Sequence, residues 1–282
     1  MKTSRLKAFL FLLPALVFAQ STPTPLNQLA QGEAAEGWRL LFDGKTMAGW
    51  DDPAKKSPPG DSWTIEDGCL KALANPKIGA DLVSKETFGD FELAFDWRIA
   101  PAGNSGVKYR IQERVFIDHG KRKPGAKRWE ETVDYELLSR VSDRSRLAPG
   151  GRAEEYVIGF EYQLIDDARN PDGAGSPTHR TGALYDMAAP AAGKSRPVGE
   201  FNSSRIVVRG NRTEHWLNGA KVLDTLLDSP AVKESLARRW TPSSPVYRLL
   251  ANPRTASCPI SLQNHGDVAW FRNIRIRRLD RR

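Results

Sequence analysis

Gly159-Phe160-Glu161-Tyr162-Gln163-Leu164-Ile165-Asp166-Asp167 is the stretch on which the fold turns. Side chains alternate along an extended chain, so Phe160, Tyr162 and Leu164 share one face while Glu161 and Gln163 share the other. Asp166 joins the polar side only if a bulge or bend shifts the register after Leu164. The stretch therefore predicts a strand with an apolar face for a core and an acid–amide face for a cleft. A solvated sheet face satisfies the same pattern.

Working outward, Asp90-Phe91-Glu92-Leu93-Ala94-Phe95-Asp96-Trp97-Arg98-Ile99 alternates more cleanly still. Phe91, Leu93, Phe95, Trp97 and Ile99 are expected in the core. A Gly103-Asn104-Ser105-Gly106 turn leads to Val107–Gln112, where Val107, Tyr109 and Ile111 oppose Lys108, Arg110 and Gln112. Asp67-Gly68 and Asn218-Gly219 are hairpin turns, and Gly210-Asn211 is a third two-residue connection. Residues 230–245 read as a short helix and loop. Short strands at even spacing with little helix predict an all-β, antiparallel sandwich. Residues 113–156 break this rhythm: Val133, Leu137, Leu138 and Val141 recur at helical spacing within Trp129–Val141, which predicts a partly helical insertion.

The ends of the chain carry their own signals. Lys2, Arg5 and Lys7 precede an apolar run from Ala8 to Phe18, and Val17-Phe18-Ala19 is a small-residue exit. A signal peptide over residues 1–19, a flexible leader over 20–36 and a domain over 37–282 follow as expectations. The protein is then secreted or periplasmic, and no apolar run is long enough for a membrane span. The chain carries 42 Lys and Arg against 34 Asp and Glu, a formal charge of +8. These cations form no stripe interleaved with stacking aromatics, so nucleic acid is not expected as a partner. Cys69 and Cys258 lie in an early and a late strand, and a disulfide between them is left open.

Three strands present comparable polar faces, Asp96/Arg98, Lys108/Arg110 and Glu161/Gln163. Side by side on one curved sheet they would give a groove of acids, cations and amides, suited to hydroxyl-rich ligands. Retaining glycosidases need two carboxylates about 5 Å apart. Here an amide, Gln163, stands two residues after Glu161, which weakens ordinary double-displacement hydrolysis. Among the histidines, His179 sits in a Gly-rich loop where a base can be presented, His215 shares a strand with Glu214 and Trp216, and His265 ends a strand. No spacing signature marks a metal site.

Leu41-Phe42-Asp43-Gly44-Lys45…Gly49-Trp50, Gly89-Asp90-Phe91-Glu92-Leu93, Gly103-Asn104-Ser105-Gly106-Val107, the 159–167 stretch, Thr181-Gly182-Ala183-Leu184-Tyr185, Glu214-His215-Trp216-Leu217-Asn218-Gly219 and Leu262-Gln263-Asn264-His265-Gly266 occur in this order. Together they resemble the 3-keto-disaccharide hydrolase domain family. The resemblance implies a concanavalin A-like jelly-roll β-sandwich that cleaves glycosides oxidised at C3 of the sugar. A ketone at C3 acidifies the C2 proton, so one base and one enolate stabiliser suffice for elimination and rehydration. On this reading Glu161 or His179 is the base, and Asp166 orients it or holds a cation. Arg110 and Gln163 hold the oxyanion and hydroxyls, while Asn104, Tyr185, Glu214 and His265 line the rim. A divalent metal ion is a further candidate for the enolate stabiliser. The competing expectations are a non-catalytic carbohydrate-binding module and an endoglucanase-like hydrolase.

Overall fold

Phe91, Leu93, Phe95, Trp97 and Ile99 are all buried, as their alternation requires. The structure, a computed structural model, describes residues 25–51, 62–76, 79–118, 136–137, 153–191 and 195–279. Its first strands are β1 (Arg39–Leu40), β2 (Trp50–Asp51), β3 (Trp63–Glu66), β4 (Cys69–Ala72), β5 (Leu82–Ser84) and β6 (Phe91–Ile99). The long strands β7 (Asn104–Asp118) and β9 (Ala153–Ile165) flank the two-residue β8 (Glu136–Leu137). After a short helix α1 (Pro171–Gly175) come β10 (Asn202–Arg209), β11 (Arg212–Leu217) and β12 (Ala220–Leu226). Helices α2 (Pro230–Arg239) and α3 (Pro245–Ala251) precede β13 (Ser261–Leu262) and β14 (Ala269–Arg278).

Among the described residues the strands form two antiparallel sheets. One runs β12-β11-β10-β6-β14-β4-β3, with β1 also on β14. The other runs β2-β5-β13-β7, with β9 and β8 paired to β7. Between them lies one core, in which Val107, Tyr109, Phe160, Tyr162 and Leu164 face Phe91, Phe95, Ile206 and Phe271. This is an all-β sandwich of jelly-roll type, as expected. His215 belongs to that core: its ring bonds Tyr109 Oη and the Gly182 carbonyl, and burial pushes it down to about 4.

The structure corrects several expectations. Asp96 and Arg98 lie on β6, in the sheet opposite β7 and β9, so they cannot share a groove with Glu161. Alternation assigns a residue to a face but not to a sheet. Residues 113–118 and 153–156 are strand, prolonging the β7–β9 hairpin, and Glu136–Leu137 pairs with Phe116 and Val115. Val115 and Ile117 hold that extension by entering the core. The expected helix over Trp129–Val141 otherwise lies outside the described residues, as does the signal peptide. The second half of the leader is tied down, because Asn27 exchanges hydrogen bonds with Asn273 (2.7 and 2.8 Å) and donates to the Gly68 carbonyl. Glu33 pairs with Arg275 beside it. Cys69 and Cys258 are both buried and free, so no disulfide joins them. No helix among the described residues is long and apolar enough to cross a membrane.

Candidate active site

Residues whose side chains leave the sandwich on the far side of β13, β7 and β9 make the floor of a cleft of about 530 Å³. Register fixes their order. Ser261 lies opposite Lys108, and Lys108 lies opposite Glu161. In the next row Gln263 donates its backbone N–H to Gly106, which lies opposite Gln163. Asn104 closes the floor at one end, and Asp81, just before β5, borders it beyond β13. The segment after the Gly-rich loop runs alongside β9, with Tyr185 N–H donating to the Glu161 carbonyl, and so brings Tyr185, Asp186 and Met187 to one wall. Leu236 and Arg239 from α2, Trp240 at its C-cap and Leu250 from α3 contribute to the wall as well. Both helices start with a capping serine followed by proline, Ser229-Pro230 and Ser244-Pro245.

Glu161 is half-buried, with its carboxyl drawn onto the floor. Burial pushes that carboxyl up to about 7; the Lys108 ammonium opposes the rise and the Asp81 carboxylate adds to it. Burial also opposes the charge on Lys108, but Asp81 and Glu161 outweigh it and hold the ammonium above the usual lysine range. Lys108 Nζ lies 3.3 Å from Asp81 Oδ2, which also accepts from Ser261 Oγ at 2.9 Å. With its amide oriented to satisfy both ends, Gln163 donates from Nε2 to Glu161 Oε1 (3.2 Å) and to the Ser105 carbonyl (3.1 Å). Gln263 also lines the cleft, and its buried Oε1 has no hydrogen-bond partner among the described residues. The site thus offers one carboxylate of near-neutral basicity, a fixed cation beside it on the floor and several amides.

The other expected site residues divide into three groups. Asn104, Tyr185 and His265 do line the cleft, His265 at its exposed edge. His179 lies behind Tyr185, stacked on its ring at 4.7 Å. Its Nδ1 meets Asp172 Oδ1 at 2.7 Å and its Nε2 meets Asp186 Oδ1 at 3.0 Å, so neither nitrogen is free to take a substrate proton. Asp172 also accepts from the Tyr185 hydroxyl, and Asp186 from Arg239, which makes His179 the centre of a brace behind the wall.

Arg110, Asp166 and Glu214 are not in the cleft. Arg110 is fully buried and takes a positive φ of 48° at the bulge in β7, where the register with β9 shifts. That bend sends its guanidinium across the sandwich to Asp90 (2.7 Å) and to the carbonyls of Gly89, Thr255 and Gly210. Asp166 is buried past the end of β9, where it caps the N–H groups of Ala102, Ala168 and Arg169. Glu214 lies in the other sheet, bonded to Trp216 Nε1 and paired with Lys221. Among the described residues, no three His, Cys, Asp or Glu side chains converge as a metal site would require.

Sequence reasoning placed Lys108 on the right face but passed over it, together with Asp81, Gln263, Arg239 and Trp240. The signal for Lys108 was its alternation with Val107 and Tyr109. For Asp81 and Arg239 no local signal exists.

A protein of Bacteroides thetaiotaomicron, a 3-keto-disaccharide hydrolase, is 31% identical over 262 residues, covering 87% of this chain and 80% of the relative. A crystal structure from Parabacteroides distasonis ATCC 8503, provisionally described as a glycosyl hydrolase, superposes with a TM-score of 0.65 at 29% identity. The match covers 91% of this chain and all (100%) of that one. A second structure from the same organism, with the same description, has a TM-score of 0.55 at 25% identity, covering 86% of this chain and 99% of its own. Residues 37–277 match the 3-keto-alpha-glucoside-1,2-lyase-like domain, and the chain belongs to that family.

Proposed function

We propose that this chain, a hydrolase, cleaves glycosides whose sugar carries a ketone at C3, and that Glu161 is the base. The Glu161 carboxylate takes the proton from C2, and the electron pair moves onto the C3 oxygen as an enolate. The enolate then expels the aglycone from C1, leaving a double bond between C1 and C2. Water adds at C1 and C2 recovers a proton. In sum one water is consumed, its hydroxyl going to C1 and its proton to the aglycone, and Glu161 ends as it began. Lys108 supplies the fixed positive charge that the enolate needs. Gln163 and Asn104 bind sugar hydroxyls. His179 positions Tyr185 and Arg239 rather than touching the substrate.

The observation that carries this reading is the floor itself. Glu161 lies between Lys108 and an amide, which supports one proton transfer next to a cation. The test is aglycone release from a 3-keto-glucoside and from its unoxidised parent. Release is expected from the keto sugar alone, and Glu161→Gln should lower it by about 10²–10⁴-fold, the usual worth of a general base. Release from the parent sugar at a comparable rate would overturn the keto requirement. Binding without release from either would leave a carbohydrate-binding module.

A further inference from the structure

Gly106 closes the Gly-Asn-Ser-Gly run, which reads as a turn, yet it lies inside β7. It is absent from the glycines with positive φ, so its backbone does not require glycine. Its ladder is complete too: it lies opposite Gln163, and its carbonyl accepts from Gln263 N–H at 2.9 Å. A glycine inside a strand weakens it and often marks a close approach of another group. Here the group is the proposed base. A Cβ on residue 106 would stand 2.2 Å from Glu161 Oε1 and 2.8 Å from both its Cδ and Cγ. These are the three nearest atoms, and all belong to one side chain. Glu161 thus leans from its own position opposite Lys108 into the volume that a side chain at 106 would fill.

Resting on the assignment of Glu161 as base, we propose that Gly106 is a positioning residue that seats the base. Its bare backbone lets the carboxyl lie flat on the floor, between the Lys108 ammonium and the Gln163 amide. Any side chain at 106 lifts the carboxyl off that seat towards the mouth of the cleft. Two consequences follow: the carboxyl loses its alignment with the C2 proton, and it gains water. Misplacement by about 1 Å is enough to cost 10²-fold in rate.

The experiment is a cycle on the full chain with Gly106→Ala, Glu161→Asp and the double variant, assayed by aglycone release from a 3-keto-glucoside. Gly106→Ala should fold and bind with KM within about threefold of wild type, while kcat falls about 10²-fold. The acid limb of its kcat/KM profile should move to lower pH, which a purely structural glycine would not produce. Glu161→Asp is one methylene shorter and should lose rate alone. In the double variant the shorter acid is already off the seat, so the methyl group added at position 106 displaces nothing further and the two losses should not multiply. Wild-type turnover in Gly106→Ala, or losses that multiply, would overturn the seat. The fold control is Gly106→Ala with Glu161→Ala: if it unfolds, the collision is with the scaffold and the proposal fails. Full activity in Glu161→Gln would instead refute the base on which the seat rests.

Discussion

Replacing Glu161 by glutamine should stabilise the protein at the pH where it destroys activity. The carboxyl is held at about 7 in the folded protein against an ordinary 4.5, chiefly by burial. This is the reverse of the usual carboxylate case. Between the two values the folded state binds more protons than the unfolded one, so stability falls as pH rises through that window. Each pH unit of difference is worth 1.36 kcal/mol, so by pH 8 the ionised Glu161 costs about 3 kcal/mol that is absent at pH 4. Glutamine keeps the shape and carries no charge, so the variant escapes this cost. Denaturant unfolding of both proteins at pH 4.5 and pH 8 measures the effect as a change in their difference. The variant should gain about 3 kcal/mol on the wild type between the two pH values. A difference that stays constant across the window would refute the account of Glu161 as a desolvated carboxylate. A difference of opposite sign would mean that Lys108 dominates its environment.

Lys108→Met removes the ammonium that opposes the rise in the Glu161 pKa, while burial and Asp81 remain. The acid limb of the kcat/KM profile should therefore move upward by about one to two pH units, with a lower plateau from the lost enolate charge. An unmoved limb would separate the two residues electrostatically. Arg110→Met leaves Asp90 without its cation, though still with the Gly210 N–H, and removes the guanidinium donor from three carbonyls. It should cost about 3–5 kcal/mol of stability in denaturant while KM of the folded fraction stays unchanged. A raised KM at full stability would return Arg110 to the substrate.

What could be read from the sequence was what period two encodes. The alternation of β6 and of Gly159–Ile165 fixed which side chains enter the core, and the buried set matches. Glu161 and Gln163 came out on the polar face for the same reason. What alternation cannot encode is where it stops. One left-handed residue in β7 turned Arg110 from the cleft to the far end of the sandwich, although Lys108 two residues earlier kept its place. Nor does it encode the partner sheet, which is why Asp96 and Arg98 were grouped with residues on the other side of the core. His179 shows a third limit. Its two carboxylate partners lie seven residues before and seven after it, and only the loop's path brings them to both ring nitrogens. Helix α3 was within reach, since Ser244-Pro245 is the same cap-and-proline start as Ser229-Pro230.

The three charges on the floor also explain why a lysine serves this chemistry well. Had Lys108 only Glu161 to face, the pair would favour the carboxylate so strongly that it would make a weak base. Burial and Asp81 prevent this: burial does most to push the Glu161 carboxyl upward, and Asp81 adds to the rise while anchoring the ammonium at 3.3 Å. The amine is held protonated, so in the proposed mechanism it acts by its field and not as a nucleophile towards a ketone. In the proposed mechanism Glu161 becomes neutral when it takes the C2 proton, and the negative charge it held reappears on the C3 oxygen of the substrate. The cleft contains the same net charge before and after, with Asp81 and Lys108 unchanged. On that proposal Lys108 interacts with one anion throughout, first on the base and then on the enolate. Such a transfer needs no reorganisation of the protein's own charges, which is where preorganised electrostatic catalysis has its advantage over water.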